Sequence, residues 1–265
     1  MKFAPNTLTI FKELEPRQQL AAIRNAGFEY IEFLFPYLAP VEQVKALLDA
    51  TGVGICMMDV LPGDVRNLDI SAAIDPKRKE EYRRYAHLAL QYAVELKVPY
   101  LNCVSGSEYA VPDATPAEMY EVYKENLAFT CDLFRECETI VLIEPVSEFQ
   151  FPGYLTRDLH TAVAIMDELN RPNLALEFDF FHNQLLHGNL LGNVERYWDR
   201  IAYFQVANPP GRNEPGVGEV DFPFLLRELA RRGYDGFVGL EYEPAGTGED
   251  SFRWLEEFRR HETDT

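Results

Sequence analysis

The sequence predicts a single (β/α)8 (TIM) barrel spanning residues 1–265, and three observations predict it. Eight short apolar, β-branched runs alternate with amphipathic helical segments, the pattern of a parallel sheet. No low-complexity linker or change of composition divides the 265 residues, a length usual for one closed barrel. No glycine-rich phosphate loop follows the first run, as an open doubly wound sheet would require.

The first strand is read over residues 3–10 and its helix over 16–26, closed by Gly27. Residues 30–35 (YIEFLF) form the second strand, and 40–50 a helix with Val41, Val44, Leu47 and Leu48 on one face. Residues 54–60 (GICMMDV) are the third strand, followed by a loop rich in turn residues. Asp75-Pro76 then opens a long helix to about Leu96, a capping residue followed by proline in the first turn. The fourth strand is 100–105, and its helix runs from Thr115-Pro116 to about Phe134. The fifth strand, 139–147 (TIVLIEPVS), stays apolar until Glu144, where Pro145 closes it. A helix over 155–169 leads to the sixth strand, 174–180 (LALEFDF), and 193–198 belongs to the next helix. The seventh strand is 201–207 (IAYFQVA), with a Pro/Gly-rich loop and a helix over 222–232. The eighth is 236–242 (GFVGLEY), and 251–260 is the last helix.

Composition narrows the function. Apolar residues make up 47% of the chain and aromatic residues 13%, enough for a large core. With 43 acidic against 25 basic residues, the net charge of −18 argues against nucleic acid or an anionic membrane as partner. No apolar run approaches the roughly 20 residues of a membrane span, and the first residues lack the pattern of a signal peptide. Cys56, Cys103, Cys131 and Cys137 form no CxxC pair and read as free thiols, so a cytoplasmic location is expected. The expected partner is a small molecule, and a homo-oligomer is left open.

Active sites in this fold lie at the C-terminal ends of the strands, where the four late strands carry Glu144, Asp179, Gln205 and Glu241. Period-2 alternation puts Glu144 in phase with Ile140 and Leu142, and Glu241 with Phe237 and Gly239, so the four can face inward at one level. Three carboxylates without an intervening cation repel each other. A divalent cation resolves this, and oxygen donors favour Mg or Mn over Zn. Spacing alone also admits hydrogen-bonded catalytic carboxylates without metal. His182, three residues after Asp179, is a metal ligand, its neighbour, a substrate donor or a surface histidine; His187 looks bland. Arg212, in the loop after the seventh strand, is an oxyanion clamp or a surface ion pair, with Glu214 and Glu219 beside it or facing solvent. Glu32 and Asp59 are expected to support ligands or the fold, and Phe35, Tyr37 and Phe180 to wall the pocket or core.

The segments EFLFPY (32–37), LPGD (61–64), LIEPVS, FDFFH (178–182), FQVANPPGRNEPGVGEVDF (204–222) and GLEYEP (239–244) resemble the hydroxypyruvate isomerase family. That family lies within the xylose isomerase-like barrels, which also include ketose 3-epimerases. The resemblance covers nearly the whole chain in order. It implies a metal held by Glu144, Asp179, Gln205 and Glu241, proton transfer by Glu144 and Glu241, and substrate contacts from His182 and Arg212. Gln205 matches the hydroxypyruvate isomerase branch, since the epimerases usually carry His there. Two segments depart. Ser147, Glu148, Phe149 and Gln150 replace the family's Asn-His-Phe-Asp, and Glu243 replaces a lysine. The expected reaction is enediolate isomerisation of hydroxypyruvate to tartronate semialdehyde, or of a related oxo-tetronate. Competing readings are a ketose 3-epimerase on the same site, a non-catalytic sugar-binding barrel and a metal-dependent endonuclease.

Overall fold

A computed structural model describes residues 1–67 and 69–262. Eight parallel strands form one sheet: β1 (Lys2–Pro5), β2 (Tyr30–Glu32), β3 (Gly54–Asp59), β4 (Tyr100–Asn102), β5 (Ile140–Ile143), β6 (Leu174–Asp179), β7 (Ile201–Val206) and β8 (Phe237–Leu240). The hydrogen-bonded order runs β1-β8-β7-β6-β5-β4-β3-β2. The seam between β1 and β2 is a single parallel bridge from Asn6 to Glu32, where Thr7 N–H donates to the Glu32 carbonyl at 3.0 Å. The barrel is therefore nearly closed.

Nine helices pack around it among the described residues: α1 (Pro16–Asn25), α2 (Val41–Thr51), α3 (Lys79–Leu96), α4 (Pro116–Leu133), α5 (Leu159–Leu169), α6 (Phe180–Leu186), α7 (Leu190–Tyr197), α8 (Phe222–Arg231) and α9 (Arg253–Glu262). Every predicted strand is present but shorter, because the residues beyond each C-terminal end leave the ladder to form the barrel mouth. Helix α3 starts three residues later than Pro76: Asp75 Oδ1 accepts from Lys77 N–H at 2.8 Å and makes a separate turn. Helix α5 starts at Leu159 because Asp158 caps Thr161 N–H, while Leu155 and Thr156 bond back to Gly106 and Ser105. Helix α4 begins as expected, with a reciprocal capping box between Thr115 and Glu118. The sequence reading missed α6, which leaves the last residue of β6 without a loop.

The inward face of the barrel changes chemistry along its axis. At the N-terminal end Tyr30, Tyr100, Tyr203 and Phe237 pack edge to face and fill the interior. Ala4, Met57 and Leu142 belong to the same apolar plug. Two residues further along each strand the same face becomes polar: Asn102 after Tyr100, Glu144 after Leu142, Gln205 after Tyr203. Outside the barrel, a second and larger apolar layer packs the helices on the strands. The side chains that line the open cavity with charge thus gather at the C-terminal mouth.

Candidate active site

The mouth opens into a cavity of about 760 Å³ lined by Asp59, Asn102, Glu144, His182, Gln205, Arg212 and Glu241, with a wider apolar wall that includes Phe35, Met57 and Tyr154. Glu144 lies one residue beyond β5. Its Oε2 accepts from Asn102 Nδ2 at 3.0 Å, and its carbonyl accepts from Thr156 Oγ1. Asp179 ends β6 and caps α6, Oδ1 accepting from Phe181 N–H at 2.7 Å. Because α6 starts at once, its first turn carries His182 back over the strand end. His182 Nε2 stands 3.5 Å from Asp179 Oδ2 and 3.8 Å from Glu144 Oε1. One ligand atom from each of Glu144, Asp179 and His182 lies within 4.8 Å of the others.

Gln205 and Glu241 line the same cavity, each held by a different neighbour. Gln205 pairs in register with Asp179 across β6 and β7, and its Nε2 donates to Glu32 Oε1 at 3.0 Å. Glu241 Oε2 accepts from an Arg212 terminal nitrogen at 2.6 Å. Arg212 also lies over the Phe181 ring, 5.3 Å from its centroid. Its backbone is left-handed, φ 57°, which is uncommon for a side chain of this size. The surrounding loops impose it. Asn208 and Asn213 exchange both backbone hydrogen bonds, and the Arg212 carbonyl accepts from Glu243 N–H.

The predicted site residues therefore converge, but in two tiers: Glu144, Asp179 and His182 form the tight cluster, with Gln205 and the Glu241–Arg212 pair beside it. His187 accepts from Leu159 N–H instead of joining the cluster. Glu214 accepts from Ala245 N–H and Glu219 from Gln184. At the departures, Ser147 is buried and caps a turn by accepting from Phe149 N–H, Glu148 lies 3.8 Å from Arg157, and Glu243 pairs with Lys12 at 2.5 Å. The acidic replacements thus sit beside surface cations. Asn6, Asn102, Glu177 and Tyr203 were not singled out from sequence. Their signal is a polar residue in phase with the inward strand positions.

Electrostatics argue for a cation here. Burial, then the charges of Glu241 and Asp179, pushes the Glu144 carboxyl well above its ordinary range. Burial likewise raises Asp179 to about 7, although Arg212 opposes the shift. His182 is pushed well below its usual value by burial and then by Arg212, so it is a neutral imidazole able to ligate. Asp179 Oδ2 and Gln205 Oε1 are buried acceptors with no hydrogen-bond partner among the described residues. Such atoms are costly unless something satisfies them. Carboxylate and amide oxygens with one imidazole fit a hard divalent ion such as Mg or Mn.

A family model described as xylose isomerase-like TIM barrel matches residues 20–258. A 2-oxo-tetronate isomerase of Pectobacterium atrosepticum is 32% identical over 96% of this chain and 97% of its own. The chain belongs to the hydroxypyruvate isomerase family of xylose isomerase-like barrels. Within that family, the hydroxypyruvate isomerase of Escherichia coli is 28% identical over 98% of this chain and all of its own. Among solved structures, a protein of Brucella melitensis described as an AP endonuclease of family 2 superposes with a TM-score of 0.91 at 30% identity, covering 97% of this chain and 98% of its own. A D-psicose 3-epimerase of Clostridium cellulolyticum superposes at 0.76 with 16% identity, covering 97% and 92%, and shares the fold alone. Family membership makes the chain an isomerase-class enzyme.

Proposed function

We propose that this enzyme is a divalent-metal-dependent isomerase of small α-hydroxycarbonyl acids, acting on hydroxypyruvate or a 2-oxo-tetronate by proton transfer through an enediolate. The observation that carries the reading is the pair of buried oxygens without a hydrogen-bond partner among the described residues, Asp179 Oδ2 and Gln205 Oε1, beside two carboxylates that line one cavity. Glu144, Asp179, Gln205 and Glu241 would hold the ion, with the His182 imidazole next to it. When bound, the cation supplies Lewis-acid stabilisation of the charge that develops on the carbonyl oxygen.

Glu144 and Glu241 divide the proton work. One removes the carbon-bound proton beside the carbonyl, the other delivers a proton to the former carbonyl carbon, and the hydroxyl proton passes between the two oxygens. No hydrogen is gained or lost. Arg212 has Nε without a partner among the described residues, a donor free for a substrate carboxylate while its terminal nitrogen donates to Glu241. The apolar wall and the Arg212–Phe181 stack limit water around the intermediate.

A ketose 3-epimerase on the same residues is the second reading, favoured by the cavity volume, which exceeds what a three- or four-carbon acid fills. A nucleic-acid substrate is disfavoured: the net charge is −18, and Glu144, Asp179 and Glu241 gather at the mouth. The test is a substrate panel of hydroxypyruvate, 2-oxo-tetronates and ketoses, run in D₂O after chelation and after Mn²⁺ is restored. The expected result is Mn²⁺-dependent isomerisation of an oxo acid, to an aldehyde from hydroxypyruvate or to a 3-oxo acid from a 2-oxo-tetronate, with deuterium on the carbon that receives the proton. Turnover of ketoses alone would select epimerisation, and full turnover in chelator would reject the metal.

A further inference from the structure

Glu32 is a fully buried carboxylate of the barrel that the proposed proton transfer does not use. It ends β2, next to a shift of register against β3, and its carbonyl accepts from both Thr7 N–H and Thr7 Oγ1 at the seam of the barrel. Its side chain is fully buried and points across the interior beneath the cavity. Three groups donate to it: Tyr203 OH at 2.8 Å, Asn6 Nδ2 at 2.9 Å and Gln205 Nε2 at 3.0 Å. Asn6 is itself fixed, since its Oδ1 accepts from Leu8 N–H at 2.9 Å. No lysine or arginine is among these partners.

Space is reserved for this contact. A Cβ on Gly239 would lie 1.8 Å from Glu32 Oε1 and 2.8 Å from Gln205 Cγ. Gly239 is the register partner of Gln205 on β8, so any side chain there would part the carboxylate from the amide. The glycine of the GLEYEP segment is thus explained by what crosses in front of it.

The consequence falls on Gln205. An amide has one acceptor face and one donor face, and turning it over exchanges them. Glu32 Oε1 accepts from both Gln205 Nε2 and Tyr203 OH, so it captures the amide NH₂ and leaves Gln205 Oε1 directed away, buried and without a hydrogen-bond partner among the described residues. We infer that Glu32 is a positioning residue: it locks the Gln205 amide with its carbonyl oxygen toward the metal pocket. This rests on the proposed metal site and adds a residue that touches neither metal nor substrate. Outer groups of this kind orient ligands and typically change metal affinity by about 10–100-fold when lost.

The test uses the full-length protein and Mn²⁺ alone, with affinity read from the free-ion electron paramagnetic resonance signal and folding from circular dichroism in chelator. Glu32→Gln offers Gln205 a donor as well as an acceptor, so the amide can turn over; a loss of about 10–100-fold in Mn²⁺ affinity is expected. The exchange Glu32→Gln with Gln205→Glu reverses donor and acceptor while keeping the pair's charge and volume, and the Tyr203 hydroxyl can rotate to accept. This double variant is expected to bind Mn²⁺ within about threefold of wild type. It is compared directly with wild type, so the test stands even if Glu32→Gln alone does not fold. Tyr203→Phe removes another donor to the same carboxylate and is expected to leave affinity unchanged. A folded Glu32→Gln with wild-type affinity, or a folded double variant weakened tenfold or more, overturns the inference alone. A wild-type protein that takes up no Mn²⁺ overturns both the inference and the metal site.

Discussion

Asp179 and Glu144 are reluctant anions where they stand, and this gives the proposed metal site a thermodynamic signature. The folded chain holds protons on both at a pH where the unfolded chain, with ordinary values of 3.8 and 4.5, has released them. The stability they contribute is therefore complete below those values and is lost as pH rises through about 7, where Asp179 ionises. A divalent cation favours the ionised forms and opposes that loss. The rise in melting temperature produced by Mg²⁺ or Mn²⁺ is accordingly expected to grow from about pH 5 to about pH 8, measured by calorimetry with chelator as the reference. A shift independent of pH would place the cation away from these two carboxylates. At this scale the sequence was most legible for residues that interrupt an apolar run. Glu144 and Asp179 stand out as carboxylates ending buried strands and Glu32 as one interrupting a strand, but Asn102 was not singled out, and the partners of both Asn102 and Glu32 come from distant positions. Asn102 reaches Glu144 from 42 positions away and Glu32 reaches Gln205 from 173, separations that no local pattern encodes.

Helix α6 shows why the chain order was readable and some junctions were not. Phe178, Phe180 and Phe181 continue the apolar run of β6, and all are buried, so hydropathy alone gives no sign that the backbone has changed from strand to helix. The switch is made by Asp179, which ends the strand and caps the helix. That junction places His182 against the carboxylates, so the least legible boundary in the chain positions one of its site residues. Helix α4 is the opposite case, because Thr115, Pro116 and Glu118 announce its start. Its capping box lies at an exposed surface outside the residues that line the cavity. Thr115→Ala is expected to cost about 1 kcal/mol of stability in urea unfolding and to leave turnover unchanged. The loops after β7 and β8 work together: Asn213 Nδ2 donates to the Glu243 carbonyl, and Glu214 accepts from Ala245 N–H. Those ties hold Arg212 against Glu241 and show why Glu243 can replace a lysine without disturbing the pair.

Across the whole molecule, the barrel keeps apolar packing at one end of its interior and charge at the other. The aromatic plug around Tyr100, Tyr203 and Phe237 closes the N-terminal end, so the polar mouth is the way in for a substrate. No helix among the described residues is long and apolar enough to cross a membrane. The eightfold alternation of strand and helix made the architecture legible, because a repeated pattern survives errors at individual boundaries. Substrate size was not legible: the volume of the mouth depends on loops such as 147–151, where Ser147 accepts from Phe149 N–H in a turn that leads to Phe151 on the cavity wall.

The central claim is that Glu144 and Glu241 are the two proton-transfer groups of one metal-assisted site. The most direct measurement is deuterium incorporation from D₂O into hydroxypyruvate or a 2-oxo-tetronate by Mn²⁺-loaded wild type, Glu144→Gln and Glu241→Gln, with circular dichroism confirming that each is folded. Wild type is expected to exchange the carbon-bound hydrogen, and each variant to lose about 10²-fold or more of that rate. Exchange near the wild-type rate in either folded variant would contradict the account.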